Sequence, residues 1–359
     1  MSLVENLREM MLTPALSGHE GRMIRLMEKK LSPWGEAFTD RLGNVIVHIG
    51  GTDPQAPRVM LFAHTDQLGM VVRKIEADGF IAMERLGGVP EKVLPGCRML
   101  VEGENGQLFP GIVGLKSHHA TPQDEKGKVV PYTQLYLDLG LKSAEETRSK
   151  SIEVGCPIVY EPRFELMGDR VVGPSVDNRG GCAVLAEVAE RMGQSRPACD
   201  LYIVATVLEE FNLRGAMVAA QQIKPDIAVA LDIMIAGDTP DLRGHSDIRL
   251  GGGPILGMYS FHGRGTLNGV LPHPALVKSF RETAAKRGIP LQRNAAVGLL
   301  TDLSYVQLVG EQGVASVDLG FPARYTHSPV EMCDLADLTA LSDLLEAAIR
   351  SWGPMDLRR

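Results

Sequence analysis

Two adjacent glutamates, Glu209 and Glu210, stand where an apolar, β-branched run ends in the stretch ATVLEEFNLRGA. Other apolar runs end in the same kind of residue: VMLFAHTDQLG carries His64 and Asp66, and IAVALDIMIAGD carries Asp232. Imidazoles and carboxylates together suit zinc and neighbouring divalent transition metals, whereas calcium takes oxygen ligands only. These residues therefore indicate metal-assisted chemistry.

Two further residues extend the set: His327 in VASVDLGFPARYTHSPVE and Asp177 in SVDNRGG. In open α/β sheets, the loops at the carboxyl ends of the strands converge and bind ligands, so these side chains are expected to meet. They are more numerous than one tetrahedral zinc site requires. The set predicts two ions about 3.5–4 Å apart that share a bridging carboxylate and activate a water. One carboxylate stays off the metals as the general base.

Apolar periodicity predicts the elements that position these residues. An amphipathic helix opens the chain, and Asp334 opens the last helix. The other predicted helices cover residues 20–31, 179–192, a stretch from Leu213 onward, and 274–286, and the predicted strands cover 44–49, 58–63, 201–207 and 227–231. Between about Met70 and Pro162 the sequence pattern changes to short β-like runs separated by turn residues, which predicts a small all-β insertion.

Composition restricts the partners. The chain has 359 residues, 44% of them hydrophobic and 23% charged, and no apolar run approaches the ~20 residues that span a bilayer. A net charge of −7 without a basic cluster argues against nucleic acid. The N-terminal stretch lacks the pattern of a signal peptide. Five scattered cysteines without a C-x-x-C pair argue against disulfides and a thiolate zinc site, and we therefore expect a cytoplasmic location.

Five motifs appear in order along the chain: AHTDQLG, SVDNRGG, LEEFNLRGA, LDIMIAGDTP and RYTHSPVE. With the early TPALSGHE and the insertion's GIVGLKSHH, they make the sequence resemble the tetrahedral-assembly (TET) aminopeptidases, also called glutamyl or deblocking aminopeptidases, of the dinuclear-zinc exopeptidases. The resemblance implies a zinc-exopeptidase-like α/β domain, with a mixed sheet and helices on both faces, over residues 1–69 and 166–359. A barrel-like β domain over residues 70–165 interrupts it and mediates assembly.

The resemblance also implies the metal ligands. One ion would be held by His64, Asp177 and Asp232, and a second by Asp177, Glu210 and His327, so that Asp177 bridges them. Two divalent ions per subunit are expected, zinc first, with cobalt or manganese as alternatives.

The implied activity is removal of N-terminal residues from short peptides by a hydroxide that bridges the two metals. Glu209 would be the general base, and Asp66 would orient His64 through the second ring nitrogen. The chain is expected to associate with itself through the inserted domain, into a dodecamer built from dimers.

Departures from the family leave the substrate open. Gln67 stands where the family commonly has Glu, which could alter how a free amino terminus is bound. One alternative is therefore a related dinuclear-metal amidohydrolase or deacylase that acts on N-acylated small substrates. The other alternative is an inactive assembly protein.

Several residues have an ordinary structural explanation as well. Asp177 with Asn178 is also typical of a helix N-cap, and Glu209 with Glu210 of a solvated loop. His119, beside His118, is either an oxyanion contact in its own or a neighbour's site or a surface histidine. Asp302 either lines the substrate pocket or caps a helix.

Overall fold

A twelve-stranded sheet and a closed six-stranded barrel organise the chain in the computed structural model, which describes residues 2–262 and 269–359. The helices are α1 Leu3–Met11, α2 Gly21–Leu31, α3 Ala144–Ser149, α4 Val176–Gln194, α5 Gly215–Ile223, α6 Pro274–Arg287, α7 Leu303–Val306 and α8 Leu335–Ser351. The strands are β1 Glu36–Thr39, β2 Val45–Ile49, β3 Arg58–His64, β4 Gly69–Ile75, β5 Ile81–Leu86, β6 Arg98–Glu102, β7 Leu108–Val113, β8 Tyr136–Asp138, β9 Pro157–Tyr160, β10 Glu165–Met167, β11 Arg170–Val172, β12 Asp200–Thr206, β13 Ile227–Ile235, β14 Ile255–Phe261, β15 Gly269–Val270, β16 Gln292–Val297, β17 Ala315–Arg324 and β18 Met332–Asp334.

The large sheet is mixed, with a parallel centre. Its main order is β1-β2-β12-β3-β13-β17-β18-β11-β10, and β14 leads from β17 to β15 and β16. Strands β12, β3, β13 and β17 run parallel, and antiparallel strands flank them. The sequence IAVAL within β13 is buried throughout, as expected for a central strand covered on both faces. The parallel centre brings four strand carboxyl ends to one edge.

Helices cover both faces of this sheet. One face packs α1, α2, α4, α6 and α8 into the main hydrophobic core, and the other face packs α5 and α7 into a second core. Helix α8 begins where the sequence predicts, because the Asp334 carboxylate accepts a hydrogen bond from the Ala336 N–H at 3.0 Å. The predicted mixed α/β fold with helices on both faces is confirmed. Among the described residues, no helix is long and apolar enough to cross a membrane.

The insertion is a closed barrel of β4-β5-β8-β7-β6-β9 with a hydrophobic core of its own. All its neighbouring strands pair antiparallel, and its strands run from Gly69 to Tyr160. The predicted barrel-like insertion in the fold is therefore confirmed.

Two helix starts differ in detail from the sequence pattern. Helix α5 begins at Gly215 rather than Leu213, because Asn212 and Leu213 have φ of +67° and +57°, outside the helical region. In α4, Asp177 and Asn178 have non-helical backbone angles, so the regular helix starts at Arg179, as predicted. The Asn178 side chain accepts from the Gly181 N–H at 3.0 Å. Asn178 thus caps this helix and leaves the Asp177 carboxylate free for other contacts.

Candidate active site

The sequence-predicted ligands gather at the carboxyl edge of the parallel strands. His64 ends β3, and Asp232 lies in the second half of β13. Glu209 and Glu210 follow the end of β12, and His327 follows the end of β17. The loop before α4 adds Asp177 to the same cluster. Neighbouring strand ends have thus brought together residues that are far apart in the sequence.

Two groups of three side chains present their ligand atoms within 4.8 Å of one another. One group is His64, Glu209 and Asp232, and the other is Asp177, Glu210 and His327. The first group differs from the expected one, because it contains Glu209 rather than Asp177. Both Glu209 Oε2 and Asp232 Oδ1 lie 3.9 Å from His64 Nε2.

Asp177 joins the two groups through its two carboxylate oxygens. Its Oδ1 lies 3.1 Å from His64 Nε2, and its Oδ2 lies 3.6 Å from His327 Nε2. A single carboxylate therefore faces an imidazole of each group. A carboxylate that bridges two ions would have to face both groups, and a bridging role for Asp177 stays a prediction.

The negative charges of the carboxylates in the cluster repel one another. Burial raises the pKa of the Glu209 carboxyl well above its ordinary value, and the charges of Asp232 and Glu210 raise it further. Burial also raises the pKa of Glu210 to about 7, with Asp177 as the next cause. Burial alone would lower the pKa of the His64 imidazole, but Glu209 and the other acids raise it well above its usual range. Positive charge among these groups would offset their repulsion.

The donor set fits divalent transition-metal ions. It offers two imidazoles and four carboxylates. His64, Asp177, Glu209 and Asp232 are buried, and Glu210 and His327 are half-buried. Imidazole nitrogen with carboxylate oxygen is a set that zinc accepts. The buried guanidinium of Arg179 donates instead to the carbonyl oxygens of Thr65 and Thr13. It does not neutralise the acids by direct pairing in these contacts.

The Asp66 carboxylate holds the two glutamates by their backbone. It accepts from the N–H of Glu209 at 3.0 Å and from the N–H of Glu210 at 2.9 Å. His64 Nδ1 lies 3.1 Å from the Asp66 carbonyl oxygen and 3.6 Å from its carboxylate. Asp66 therefore contacts His64 mainly through its main chain, and an orienting role for its carboxylate stays a prediction. Its carboxylate fixes the backbone of the two glutamates within residues 208–213, a segment that we call the glutamate turn.

The glutamate turn has an unusual backbone. Leu208, Asn212 and Leu213 all have positive φ, which is unfavourable for residues with a side chain. Glu20 stabilises the start of the turn, because its Oε1 accepts from the N–H of Leu208 at 3.1 Å. Such strain persists only where surrounding contacts hold it, and it is common at functional sites.

The inserted barrel forms part of the wall of the site, which no sequence pattern indicated. The Gly88 carbonyl oxygen lies 3.0 Å from His327 Nδ1, so Nε2 faces the acids. A Cβ on Gly88 would lie 2.8 Å from that ring, and one on Gly87 would lie 3.2 Å from Glu210 Oε2. Backbone at this close approach requires glycine.

Glu331 is a further buried residue of the site that the sequence analysis did not select. Its carboxylate accepts from the N–H of Asp177 at 3.0 Å and from the N–H of His327 at 2.6 Å. The available signal was its place inside the motif RYTHSPVE, as an acid close behind a candidate ligand.

Gln67 has hydrogen-bond partners within the chain. Its Oε1 accepts from the Ala15 N–H at 3.1 Å and from Arg179 Nη2 at 3.3 Å, and it is 4% exposed. These contacts tie the end of β3 to the loop that follows α1. A contact between Gln67 and a substrate stays a prediction.

Asp302 is buried against the end of β12, and His119 is exposed in the segment between β7 and β8. Asp302 Oδ2 accepts from Thr206 Oγ1 at 3.3 Å, and the carboxylate makes no capping bond to α7. Burial raises the pKa of this carboxyl to about 7, and nearby His64 opposes the rise. His119 is exposed in the short turn 118–120, edge-on to His118. Roles for both residues in substrate or oxyanion binding stay predictions.

Comparison with known proteins identifies the family. A model of the family described as M42 glutamyl aminopeptidase matches residues 43–344. The chain belongs to this family. It is 37% identical over 348 residues to the Escherichia coli (strain K12) protein SgcX, covering 96% of this chain and 93% of SgcX. It is 31% identical to the lysyl aminopeptidase of Pyrococcus furiosus, covering 98% of each chain. The resemblance stated from the sequence is thus confirmed, and the chain is a hydrolase of the aminopeptidase class.

Solved structures of similar peptidases have the same fold. Aminopeptidase APDkam598 from the archaeon Desulfurococcus kamchatkensis superposes with a TM-score of 0.91 and 32% identity, covering 98% of this chain and 95% of its own. The Pyrococcus horikoshii TET1 peptidase, which can assemble into a tetrahedron or a large octahedral shell, gives a TM-score of 0.86 and 26% identity, covering 98% of this chain and all of its own. This M42 aminopeptidase therefore shares its whole architecture with such enzymes.

Proposed function

We propose that this aminopeptidase works with two divalent metal ions held at the carboxyl edge of its sheet. The observation that carries the proposal is the position of Asp177, whose two oxygens face His64 and His327. We assign one ion to His64, Asp177 and Asp232, and the other to Asp177, Glu210 and His327. When bound, the ions would lower the pKa of a water and polarise the scissile carbonyl. Zinc is our first assignment, and cobalt and manganese suit the same donors.

Glu209 is the general base in this proposal. It is 8% exposed, and its backbone is fixed by Asp66, so its carboxylate has a restricted set of positions. It takes a proton from the attacking water and gives it to the leaving amine. Glu210, whose backbone the same Asp66 carboxylate fixes, binds metal instead.

The proposed substrates are short peptides with a free amino terminus. The family that matches this chain is described as an aminopeptidase family, and an aminopeptidase acts on a free amino terminus, which acylation removes. Two similar proteins are named for different first residues, one as a lysyl and one as a glutamyl aminopeptidase. The first residue preferred by this chain must therefore be measured.

A substrate panel tests this function. Aminoacyl anilides of lysine, glutamate and leucine, with zinc, cobalt or manganese, are expected to be hydrolysed. Their N-acetylated counterparts are expected to react at least about 100-fold more slowly, because a site that binds a free amine leaves its polar groups unpaired when the nitrogen is acetylated. Faster hydrolysis of the acetylated compounds would favour the deacylase alternative. No hydrolysis with any of the metals would favour the inactive assembly protein.

We propose that the barrel domain, residues 70–165, mediates assembly into a dodecamer built from dimers. Its β7 strand points Leu108, Pro110 and Ile112 outward, and Tyr136 on neighbouring β8 is also exposed. Apolar residues gathered on one exposed surface are typical of protein interfaces. Of two similar solved structures, one is a dodecamer of PhTET1, and the other is the Pyrococcus horikoshii TET1 peptidase, which can assemble into a tetrahedron or a large octahedral shell.

A charged residue introduced on the barrel surface tests the proposed assembly. Ile112→Lys, at a side chain that is 48% exposed, is expected to give a smaller particle than the unmodified chain in light scattering, because a charge cannot be buried there unpaired. Leu308→Lys is the matched control outside the barrel, at 72% exposure, and should keep the original mass. An unchanged mass for Ile112→Lys, or a monomeric unmodified chain, would contradict the proposal.

We also propose a cytoplasmic location. All five cysteines are free thiols, and four of them are buried. A chain that forms no disulfide among its cysteines suits a reducing compartment.

A further inference from the structure

Glu331 connects two parts of the site that come from distant chain segments. Its Oε2 accepts from the N–H of Asp177, in the loop before α4, at 3.0 Å. Its Oε1 accepts from the N–H of His327, in the loop after β17, at 2.6 Å. Glu331 itself is 3% exposed, so neither bond competes with bulk water. One carboxylate therefore fixes the distance between the backbones of these two residues.

Both connected segments have an unfavourable backbone. Ser175 has φ of +67°, and Tyr325 and His327 have φ of +58° and +66°. Residues with a side chain adopt this region only where the surroundings hold them. Without the Glu331 carboxylate, each segment would lose a contact that holds its conformation. The side chains of Asp177 and His327 would then no longer be held at a fixed distance from each other.

A carboxylate suits this place better than an uncharged side chain of the same shape. Two N–H groups need two acceptor atoms, and a carboxylate supplies both oxygens, whereas a glutamine amide supplies one oxygen and an NH₂ donor. The negative charge is unfavourable next to Asp177 and Glu210. The hydrogen-bonding geometry is therefore what Glu331 contributes.

Other contacts at His327 restrain different atoms. The Gly88 carbonyl oxygen holds Nδ1 at 3.0 Å, and the Tyr160 hydroxyl donates to the His327 carbonyl oxygen at 3.4 Å. Glu331 adds the backbone N–H and links it to Asp177. Asp66 makes the same kind of double contact to Glu209 and Glu210.

We propose that Glu331 is a positioning residue, which holds Asp177 and His327 at the spacing needed for one of the two metal ions. This inference rests on the proposed dinuclear site. Glu331 acts through the backbone of the two ligands and contacts neither substrate nor metal. Its removal is expected to weaken most the binding of the ion assigned to Asp177, Glu210 and His327, because two of its ligands lose their position. The ion assigned to His64, Asp177 and Asp232 shares only Asp177 and is expected to be affected less.

Metal affinity of Glu331→Gln tests the inference. Zinc is added to the metal-free chain in competition with a chelator, and the titration resolves two binding steps. Glu331→Gln is expected to weaken one step by about 10–100-fold, the usual effect of losing a residue that supports a ligand. Glu331→Asp, which keeps the charge but is too short to reach both N–H groups, is expected to weaken the same step. It also provides the measurement if the glutamine variant does not fold.

Asp337→Asn is the matched control. Asp337 is also a buried carboxylate that accepts from two backbone N–H groups, those of Gly251 at 2.8 Å and Gly253 at 2.7 Å, but it binds no site residue through them. Its variant should lower the melting temperature without changing either zinc step. Unchanged zinc steps in both Glu331 variants, or the same loss in Asp337→Asn, would overturn the inference. Fewer than two zinc ions on the unmodified chain would instead contradict the proposed dinuclear site.

Discussion

Glu209→Gln is expected to lower kcat by about 10²–10⁴-fold, the usual contribution of a general base. The amide has nearly the same shape as the carboxylate and cannot take the proton from water. The Glu209 N–H bond to Asp66 does not involve the side chain, so the turn keeps its position. Zinc content is expected to stay at two ions per chain. The measurements are kcat on the best anilide and metal content after dialysis.

Glu210→Gln is the matched comparison, because it makes the same chemical change at the adjacent residue. Its carboxylate belongs to the group with Asp177 and His327, so its loss is expected to reduce zinc content. Added zinc should restore part of the activity of Glu210→Gln and none of that of Glu209→Gln. If Glu209→Gln lost zinc, or kept full activity, Glu209 would be a ligand or a bystander, and the assignment of the base would be wrong.

Local patterns were sufficient to predict which residues would meet. His64 and Asp232 stand at or near the ends of apolar runs, and parallel strands bring their carboxyl ends to one edge of a sheet. The all-β insertion followed from the change to short strands with turn residues between them, whereas its barrel-like form was implied by the family resemblance. These patterns involve residues that are close together in the sequence, so they can be recognised in one sequence without the structure.

Contacts between distant segments could not be predicted in the same way. Gly88 reaches His327 through a main-chain oxygen, and every residue type has that atom. Glu331 stood inside a recognised motif, but its importance depends on the approach of the loop that carries Asp177. The start of α5 was displaced because the backbone at Leu213 is set by the glutamate turn and not by helix periodicity.

Removal of the metals is expected to abolish hydrolysis and destabilise the chain. A ligand present at 100 times its dissociation constant contributes about 2.7 kcal/mol to the free energy of unfolding, and stripping the ions removes that contribution. The repulsion among Asp177, Glu209 and Glu210 also returns when the positive charge leaves. The measurement is a thermal melt of chelator-treated and zinc-reloaded chain, with activity followed in parallel. The same melting temperature with and without zinc would contradict the binding of a metal in this cluster.

Anomalous diffraction from crystals of the zinc-loaded chain tests the central claim most directly. Two zinc peaks about 3.5–4 Å apart are expected, with the Asp177 carboxylate between them. One peak should lie at His64 and Asp232, and the other at Glu210 and His327. A single peak, no peak, or zinc bound away from Asp177 would contradict the dinuclear site on which the proposed mechanism depends.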